Sequence, residues 1–338
     1  MQEARAVIFG CAGAGLGKAE ARFFRESNPL GFILFARNCK EPAQVRDLVG
    51  ELRASVGRGD APVLIDQEGG RVARLLPPHW RKAPSARRLG QLAERSLEGA
   101  RRAVWLNARL IAAELAELGI TVDCAPVLDL ALPETHDVIG DRAFGADPER
   151  VAILGRSVCE GLSAGGIAPV IKHIPGHGRA RADSHLELPE VAAAWQLMRA
   201  TDFVPFKALA DQPWAMTAHV RFSAIDPVHA ATTSRRLIAE VVRGEIGFEG
   251  ALLSDDLGMR ALAGDFGERT AAALEAGCDV VLHCSGVLEE MAAVAAAASP
   301  LGGLAAKRVS RALARRGEAE PLDVASAMAE LDALLSAA

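Results

Sequence analysis

The fold is read most directly from Ala168-Pro169-Val170-Ile171-Lys172, a run of four apolar residues that ends in a lysine. A short and nearly continuous apolar run is typical of a strand that is covered on both faces. Seven other runs in the chain share this pattern. The eight predicted strands are Ala6–Phe9, Phe32–Phe35, Pro62–Ile65, Ile120–Ala125, Ala168–Lys172, Ala215–His219, Ala251–Ser254 and Val280–His283.

Helical stretches separate these strands. The clearest are Glu41–Val56, Gly90–Leu118, Pro148–Leu162 and Arg235–Arg243. The third carries a start signal, Pro148 after Asp147, and a stop signal, the Gly165-Gly166 pair. Alternation of strands and helices predicts an α/β fold with a parallel sheet. The count of eight favours a single (β/α)8 TIM-type barrel over a doubly wound open sheet, the alternative that this pattern leaves open.

The chain of 338 residues contains no linker rich in Pro, Gly or Ser, so we expect residues 1–338 to form one domain. The tail from about residue 300 has two stretches of helical period, Leu304–Arg315 and Asp323–Leu335. We expect these two helices to pack outside the barrel.

Composition excludes several classes of partner. The net charge of −5 gives no reason to expect nucleic acid or an anionic membrane, and no apolar run is long enough for a membrane span or a signal peptide. The cluster Arg81, Lys82, Arg87 and Arg88 is read as a solvated face. Six scattered cysteines without a C-x-x-C pair predict reduced thiols and a cytoplasmic protein.

Unusual polar residues follow four of the predicted strands. They are Asp66-Gln67-Glu68, Lys172-His173, His219 and Asp255-Asp256. The active site of such a barrel lies at the carboxyl ends of the strands, so these residues predict a site there. The segment Asp66–Arg74 (DQEGGRVAR) suits sugar hydroxyls, because carboxylates accept from them and glycines let the backbone bend close to a ligand. The alternative is an acid–arginine network on the surface.

The predicted loop Ile174–Pro189 is long for a compact domain, and long loops are often functional. Within it, Asp183 precedes His185 by two residues, close enough for the carboxylate to orient the imidazole and favour its protonated form. A histidine near its usual pKa of about 6.5 can act as a general acid and base at neutral pH.

Two other interpretations are disfavoured. His173 and His177 have the i, i+4 spacing of zinc ligands on a helix, but Pro175 argues against a helix there. The glycine run Gly10–Gly17 lacks the last glycine of G-x-G-x-x-G, because Lys18 stands at that position. We therefore expect no metal and no dinucleotide.

Two adjacent carboxylates, Asp255 and Asp256, end the seventh predicted strand. Side chains alternate along a strand, so we expect only one of them to point into the barrel mouth. A carboxylate there could attack an anomeric carbon and form a covalent glycosyl-enzyme. The alternative is that Asp256 or Ser254 caps the next helix.

Four segments together resemble bacterial family-3 glycoside hydrolases of the β-N-acetylglucosaminidase type. They are Asp66–Arg74 (DQEGGRVAR), Lys172–Gly178 (KHIPGHG), Asp183–His185 (DSH) and Ser254–Met259 (SDDLGM). The resemblance implies a single-barrel enzyme that removes terminal N-acetylglucosamine with retention of configuration. It implies a role in cell-wall recycling on N-acetylglucosaminyl-1,6-anhydromuramyl peptides. We expect no cofactor, no metal and no association with a membrane. We expect the protein to be a monomer.

The resemblance also implies the roles of individual residues. Asp255 corresponds to the nucleophile, and His185 with Asp183 to the acid/base pair. Substrate-binding positions fall on Asp66, Arg74, Arg142, Lys172 and His173. The chain departs from the family at Ile174, where phenylalanine is usual, and at Arg179-Ala180, where Asp-Thr is usual. These departures lie in or beside the loop that carries His185, so loop closure and rate are expected to be affected first.

Three alternatives stay open at this point. Asp255 and Asp256 could act as a pair in a substrate-assisted route without a glycosyl-enzyme. The enzyme could transfer the sugar to phosphate instead of water, because a histidine acid/base tolerates an anionic acceptor. Finally, the chain could be a sugar-binding barrel without activity.

Overall fold

The computed structural model of the chain describes residues 4–336. Residues 1–3 and 337–338 of the expected 1–338 domain lie outside the described residues. The strands are β1 (Arg5–Gly10), β2 (Pro29–Leu34), β3 (Val63–Ile65), β4 (Val122–Asp123), β5 (Ala168–Ile174), β6 (Glu190–Val191), β7 (Trp214–Thr217), β8 (Arg221–Phe222), β9 (Ala251–Asp256) and β10 (Val280–His283). Eight of these described strands form a closed parallel barrel in the order β1-β10-β9-β7-β5-β4-β3-β2. Strands β6 and β8 pair separately beside it.

Helices surround the barrel. They are α1 (Lys18–Ser27), α2 (Pro42–Ser55), α3 (Ala86–Leu92), α4 (Leu97–Glu117), α5 (Pro148–Ala164), α6 (Trp195–Ala200), α7 (Val204–Ala208), α8 (Arg235–Leu237), α9 (Phe266–Ala276), α10 (Leu288–Ala297), α11 (Gly303–Ala314) and α12 (Val324–Ser336). In the part of the chain that is described, no helix has the length and hydropathy needed to cross a bilayer.

The (β/α)8 prediction is confirmed, and the reason lies in burial on both faces of each strand. Alternate strand residues such as Ile8, Ile33 and Leu64 pack together inside the barrel. Their neighbours, such as Phe9 and Phe32, pack against the surrounding helices. Both faces are apolar over most of each strand, so each strand appears in the sequence as a nearly continuous apolar run.

The two C-terminal helices occupy different places. On α11, Val309 and Ala312 join the cluster inside the barrel, and Arg308 pairs with Asp279 at the start of β10. This helix therefore lies across the end of the barrel where the strands begin. By contrast, α12 packs on α4, where Arg102 and Glu330 form a two-pronged ion pair with both N–O distances at 2.7 Å.

Some predicted helices differ from the observed ones. The stretch Gly90–Leu118 is interrupted, because the Ser96 side chain accepts a hydrogen bond from Gly99 N at 3.0 Å and starts a new helix, α4. The stretch Arg235–Arg243 is a three-residue helix followed by a π-helix, Ile238–Glu245. Helix α1 was not predicted, since the glycine run before it was considered only as a dinucleotide motif.

Candidate active site

A cavity of about 360 Å³ opens at the carboxyl ends of the barrel strands. Seven of the eight predicted site residues line it: Asp66, Arg74, Arg142, Lys172, His173, His185 and Asp255. The eighth, Asp183, lies behind His185 and contacts its imidazole. Residues up to 189 positions apart in the chain thus converge because the parallel strands all end at this rim.

A buried charge network forms one wall of the cavity. The Lys172 ammonium lies 2.8 Å from an Asp66 oxygen and 2.7 Å from a Glu68 oxygen. Arg142 contacts both Glu68 oxygens, at 2.9 and 2.8 Å, and Arg74 contacts Asp66 at 3.1 Å. Burial opposes ionisation of Glu68, but Arg142 and Lys172 outweigh it and lower its pKa to about 2. Glu68 is therefore ionised at neutral pH, and the network presents fixed donors and acceptors to hydroxyls.

The glycine pair after Glu68 has a different role from the predicted one. Gly69 and Gly70 have φ of 92° and 58°, a region that favours glycine. A Cβ on Gly70 would lie 2.6 Å from the Ser85 Cβ, and one on Gly69 would lie 2.4 Å from the Pro84 carbonyl oxygen. The close approach is thus to another segment of the protein and not to a ligand, because the turn folds back onto that segment.

A carboxyl group missed by the sequence analysis lies under this network. Asp123 is fully buried at the end of β4, and its Oδ1 accepts a hydrogen bond from Gln67 N at 2.9 Å. Its Oδ2 has no hydrogen-bond partner among the described residues. Burial is the main cause that raises the pKa of Asp123 to about 7. The sequence does not identify Asp123 as a site residue, because it lies inside a run that is predicted as a buried strand.

A second missed carboxylate holds the histidine motif. One oxygen of Asp129 lies 2.7 Å from Nδ1 of His173, and the other accepts from the backbone N–H of His177 at 2.6 Å. Burial raises the pKa of Asp129, but His173 and His177 outweigh burial and lower it overall. Burial lowers the pKa of His177 to about 4. Within residues 4–336, no cluster of three or more His, Cys, Asp or Glu side chains is arranged to hold a metal ion.

Asp255 and Asp256 both line the cavity, although simple alternation along a strand predicts that only one of them points inward. The register explains this: Leu253 pairs with Val280 and Asp256 pairs with Leu282, so β9 has one residue more than β10 between these pairs. Such a bulge interrupts the alternation of side chains.

The two carboxylates nevertheless differ in their contacts. Asp256 Oδ1 accepts from Gly258 N at 3.0 Å and from Cys284 N at 3.1 Å, so it fixes the turn after β9. Helix α9 has its own N-cap, Asp265. Asp255 Oδ1 accepts from Asp256 N at 2.8 Å, and its second oxygen has no hydrogen bond to any described residue. Each carboxylate thus keeps one oxygen without a hydrogen bond to a described residue, but Asp256 is held by two backbone donors and Asp255 by one.

The surroundings of Asp255 keep its carboxylate ionised. Burial opposes ionisation, but His219, His173 and Lys172 outweigh it and lower the pKa of Asp255. His219 is fully buried, with Nδ1 2.7 Å from the Thr232 hydroxyl and Nε2 3.0 Å from the Asp256 carbonyl oxygen. Nε2 therefore donates to that carbonyl, and His219 fixes the backbone next to Asp255. From the sequence, His219 is recognisable only as a polar residue after a predicted strand, without a role of its own.

The loop that carries His185 is fastened above the cavity. Asp183 Oδ1 lies 2.8 Å from His185 Nδ1 and accepts from His185 N at 2.9 Å. Between them, the Ser184 carbonyl accepts from Ala261 N at 3.2 Å, and its hydroxyl lies 3.4 Å from His177 Nε2. The imidazole of His185 is 62% exposed. Nδ1 is bound to Asp183, and Nε2 has no hydrogen bond to any residue from 4 to 336, so it is available to a ligand in the cavity.

The two departures from the family pattern lie away from the cavity. Ile174 is the last residue of β5 and is fully buried. Arg179 donates to Asp202 at 2.8 Å, to Thr201 at 3.1 Å and to Glu134 at 3.3 Å. The guanidinium therefore anchors the first half of the loop to the protein.

Comparisons with known proteins show which family the chain resembles. Residues 18–316 match the family described as the glycosyl hydrolase family 3 N-terminal domain. A protein named Beta-hexosaminidase from Alkalilimnicola ehrlichii is 42% identical over 283 residues, which cover 82% of this chain and 80% of that protein. The crystal structure of native NagZ from Neisseria gonorrhoeae is 29% identical, with a TM-score of 0.87 and coverage of 99% of this chain and 98% of that one. A family 3 β-N-acetylglucosaminidase from Paenibacillus is 30% identical, with a TM-score of 0.87; the match covers 97% of this chain and 66% of that longer one.

Proposed function

The chain belongs to glycosyl hydrolase family 3 and is a glycoside hydrolase, and we propose that it is a retaining exo-β-N-acetylglucosaminidase. One observation carries this proposal. The carboxylate of Asp255 has a free oxygen in the same cavity that is lined by His185, whose other nitrogen lies 2.8 Å from Asp183. A nucleophile and an oriented proton donor in one pocket are what a two-step displacement needs.

In the first step Asp255 attacks the anomeric carbon, and a covalent bond from the sugar to the carboxylate replaces the glycosidic bond. His185 gives its Nε2 proton to the leaving oxygen at the same time. Its Nδ1–H stays hydrogen-bonded to Asp183, which fixes the orientation of the ring. In the second step neutral His185 removes a proton from water, whose oxygen displaces Asp255. Because His185 is uncharged after the first step and gains a proton in the second, it places no negative charge beside Asp255 when that carboxylate is released.

The wall of the cavity accounts for sugar binding. Asp66 accepts from hydroxyls, while Arg74, Arg142 and Lys172 donate, and burial strengthens each contact. His173 is held by Asp129 with its second nitrogen available to a ligand. A cavity of about 360 Å³ lies at the small end of ligand pockets. This size favours one terminal sugar ring and supports exo action.

The rival substrate-assisted route requires Asp256 as a free acid or polarising group. Asp256 Oδ1 accepts from two backbone N–H groups, which hold this carboxylate in the turn after β9, while its Oδ2 has no hydrogen bond to a described residue. This arrangement favours the covalent route.

We further propose that the substrate is a muropeptide, the N-acetylglucosaminyl-1,6-anhydromuramyl peptide of cell-wall recycling, and that the reaction takes place in the cytoplasm. The motif resemblance supports the substrate. The six cysteines support the compartment, since all are buried and unpaired, as is typical where thiols stay reduced. A single domain over residues 1–338 and a monomeric state are part of the same proposal.

The test compares the 4-nitrophenyl β-glycosides of N-acetylglucosamine and glucose, with wild type and Asp255→Ala. We expect a strong preference for the acetamido sugar and its loss in the variant. Activity that survives in Asp255→Ala would move the nucleophile elsewhere, and no activity on either sugar would favour a binding barrel. A rate that depends on added phosphate, with a sugar phosphate as product, would identify a phosphorylase instead.

A further inference from the structure

One buried carboxyl group beside the active site takes no part in the two-step displacement. Asp123 is fully buried and does not line the cavity. Its neighbours Val122 and Cys124 pack inside the barrel, so the Asp123 side chain lies on the other face of the strand, against the segment that follows β3. It therefore does not touch a sugar in the cavity, and any effect on the reaction passes through that segment.

Asp123 holds this segment through Gln67, whose backbone N–H donates to Asp123 Oδ1 at 2.9 Å. The Gln67 side chain is buried and closes the loop that follows. Its Oε1 accepts from Arg74 N at 2.8 Å and from Leu75 N at 3.1 Å, and its Nε2 donates to Leu75 O at 3.1 Å. We call residues 66–75 the sugar-binding loop, because Asp66 and Arg74 are both proposed to bind the sugar. The loop is thus fastened to the barrel at Asp123.

The surroundings of Asp123 suit a neutral carboxyl group. Oδ1 has one backbone donor, Oδ2 has no hydrogen bond, and neither oxygen has an ion pair with any residue from 4 to 336. Burial is the main cause that raises the pKa of Asp123 to about 7; Lys172 of β5 lowers it, and Asp66 and Glu68 raise it further. The next residue along the chain, Cys124, has a thiol whose pKa burial raises. An ionised Asp123 is therefore a buried charge with a single donor, which is costly.

We propose that Asp123 is a positioning residue that holds the sugar-binding loop closed as a neutral carboxyl group, and that its ionisation opens the loop and weakens sugar binding. The backbone of Asp123 is fixed by pairing with Ile65 of β3 and Pro169 of β5. Water reaches an ionised Asp123 when the loop moves away, and Asp66 and Arg74 then lose their alignment with the sugar. This inference rests on the proposed function, since it concerns how the same site holds its sugar.

The proposal links proton binding to sugar binding. Because the closed loop binds both the proton and the sugar better than the open loop does, each ligand favours the binding of the other. Sugar binding should therefore weaken as pH rises through about 7, where Asp123 ionises. The same raised pKa makes the fold less stable as pH rises from about 4 to about 7, because Asp123 ionises first in the unfolded chain.

The first measurement is the dissociation constant of N-acetylglucosamine, by calorimetry, for wild type and Asp123→Asn between about pH 5.5 and about pH 8.5. Asparagine keeps the oxygen that accepts from Gln67 N, and it cannot ionise. In wild type the constant should rise roughly tenfold over this range, as for the loss of one hydrogen bond to a charged group. Most of this rise should be absent in the variant. In urea, the wild-type midpoint should fall relative to that of Asp123→Asn as pH rises from about 4 to about 7.

Asp279→Asn is the matched control. Asp279 is also buried and also accepts from one backbone N–H, that of Leu252 at 2.9 Å, but its oxygens face Arg243 at 2.8 Å and Arg308 at 3.2 Å. This variant loses a buried carboxylate without affecting the sugar-binding loop. It should therefore keep the wild-type dependence of sugar binding on pH.

A second measurement needs no variant and applies even if Asp123→Asn does not fold. Hydrogen exchange of the backbone amides in residues 67–75 of wild type, corrected for the intrinsic effect of pH, should lose protection between about pH 6 and about pH 8.5, because the loop opens. Protection that stays constant over this range would overturn the inference. So would sugar binding that does not depend on pH in wild type, or that depends on it equally in wild type and Asp123→Asn.

These measurements require no turnover, so they separate the inference from the proposed function. A wild type that binds N-acetylglucosamine with the expected dependence on pH but hydrolyses no glycoside would overturn the proposed activity and leave the role of Asp123 standing. A wild type that hydrolyses the glycoside and binds the sugar equally at all pH values would overturn the inference alone. A wild type that neither binds the sugar nor hydrolyses the glycoside would overturn both.

Discussion

Replacement of Asp129 by asparagine tests how the histidine motif is held in place. Asp129 is fully buried, with one oxygen 2.7 Å from His173 Nδ1 and the other accepting from His177 N at 2.6 Å. Asparagine keeps one oxygen, which can still accept from His177 N. It places an amide donor against the donor at Nδ1, so the bond to His173 is lost or the ring changes tautomer. In either case the His173 nitrogen that faces the cavity no longer has its native alignment.

The expected loss of activity and of stability follows from the lost hydrogen bond between residue 129 and His173. A hydrogen bond to a charged group contributes about 1.5–3 kcal/mol. If the transition state loses the same free energy when His173 is misaligned, kcat/KM falls roughly 10- to 150-fold, since each 1.36 kcal/mol is a factor of ten. The free energy of unfolding at pH 7 should fall by a similar amount, about 1.5–3 kcal/mol.

The stabilising effect of Asp129 depends on pH in a definite direction. The pKa of Asp129 is lowered in the folded protein, so its ionised form stabilises the fold above the unfolded pKa of about 4. This contribution is lost as pH falls through the folded pKa. The stability difference between wild type and Asp129→Asn should therefore be full at pH 7 and shrink below about pH 4.

The assay combines urea unfolding with hydrolysis of the 4-nitrophenyl glycoside of N-acetylglucosamine. Asp279→Asn is the matched control, because Asp279 is also buried and ion-paired, with Arg243 at 2.8 Å, but lies at the opposite end of the barrel. We expect both variants to lose stability and only Asp129→Asn to lose activity beyond the unfolded fraction. Equal activity in the two variants would refute the positioning role of Asp129.

Three further predictions concern the loop and the second carboxylate. His185→Ala should lower kcat about 10²–10⁴-fold for poor leaving groups and least for acidic ones, because it removes the proton donor; equal losses in a leaving-group series would count against this role. Asp256→Asn should change kcat less than about fivefold, since asparagine keeps the oxygen that accepts from the backbone, whereas a role as acid requires about 10²-fold or more. Arg179→Ala should lower the free energy of unfolding by about 3 kcal/mol, because it leaves the buried Asp202 without its guanidinium. It should also speed proteolysis between residues 175 and 189, and unchanged cleavage there would show that Arg179 does not anchor the loop.

The sequence predicts the barrel because burial on both faces of each strand leaves a local signature. Lys172 ends one of these apolar runs. Because the run is apolar only while it is inside the core, this charged residue shows where the strand reaches the end of the barrel that carries the site. Helix breaks were harder to predict, since the interruption before α4 depends on the Ser96 cap, a weak local signal inside a helical pattern.

Partners within the site could not be predicted, because they depend on barrel closure and register. Asp66 and Lys172 are 106 residues apart and meet only when the strands between them are in place. Asp123 shares a run with strand residues, and only its pairing with Ile65 brings it to the rim. The bulge in β9 that turns Asp256 toward the cavity leaves no mark in the local sequence.

The covalent route through Asp255 is tested most directly by trapping the intermediate with a fluorinated N-acetylglucosamine analogue that slows its breakdown. Digestion with trypsin releases the peptide Gly244–Arg260, which contains both carboxylates of the β9 end. We expect mass spectrometry to find one added sugar on this peptide and fragmentation to place it on Asp255. A label on Asp256, or an enzyme that turns over substrate but never carries a label, would contradict the covalent mechanism.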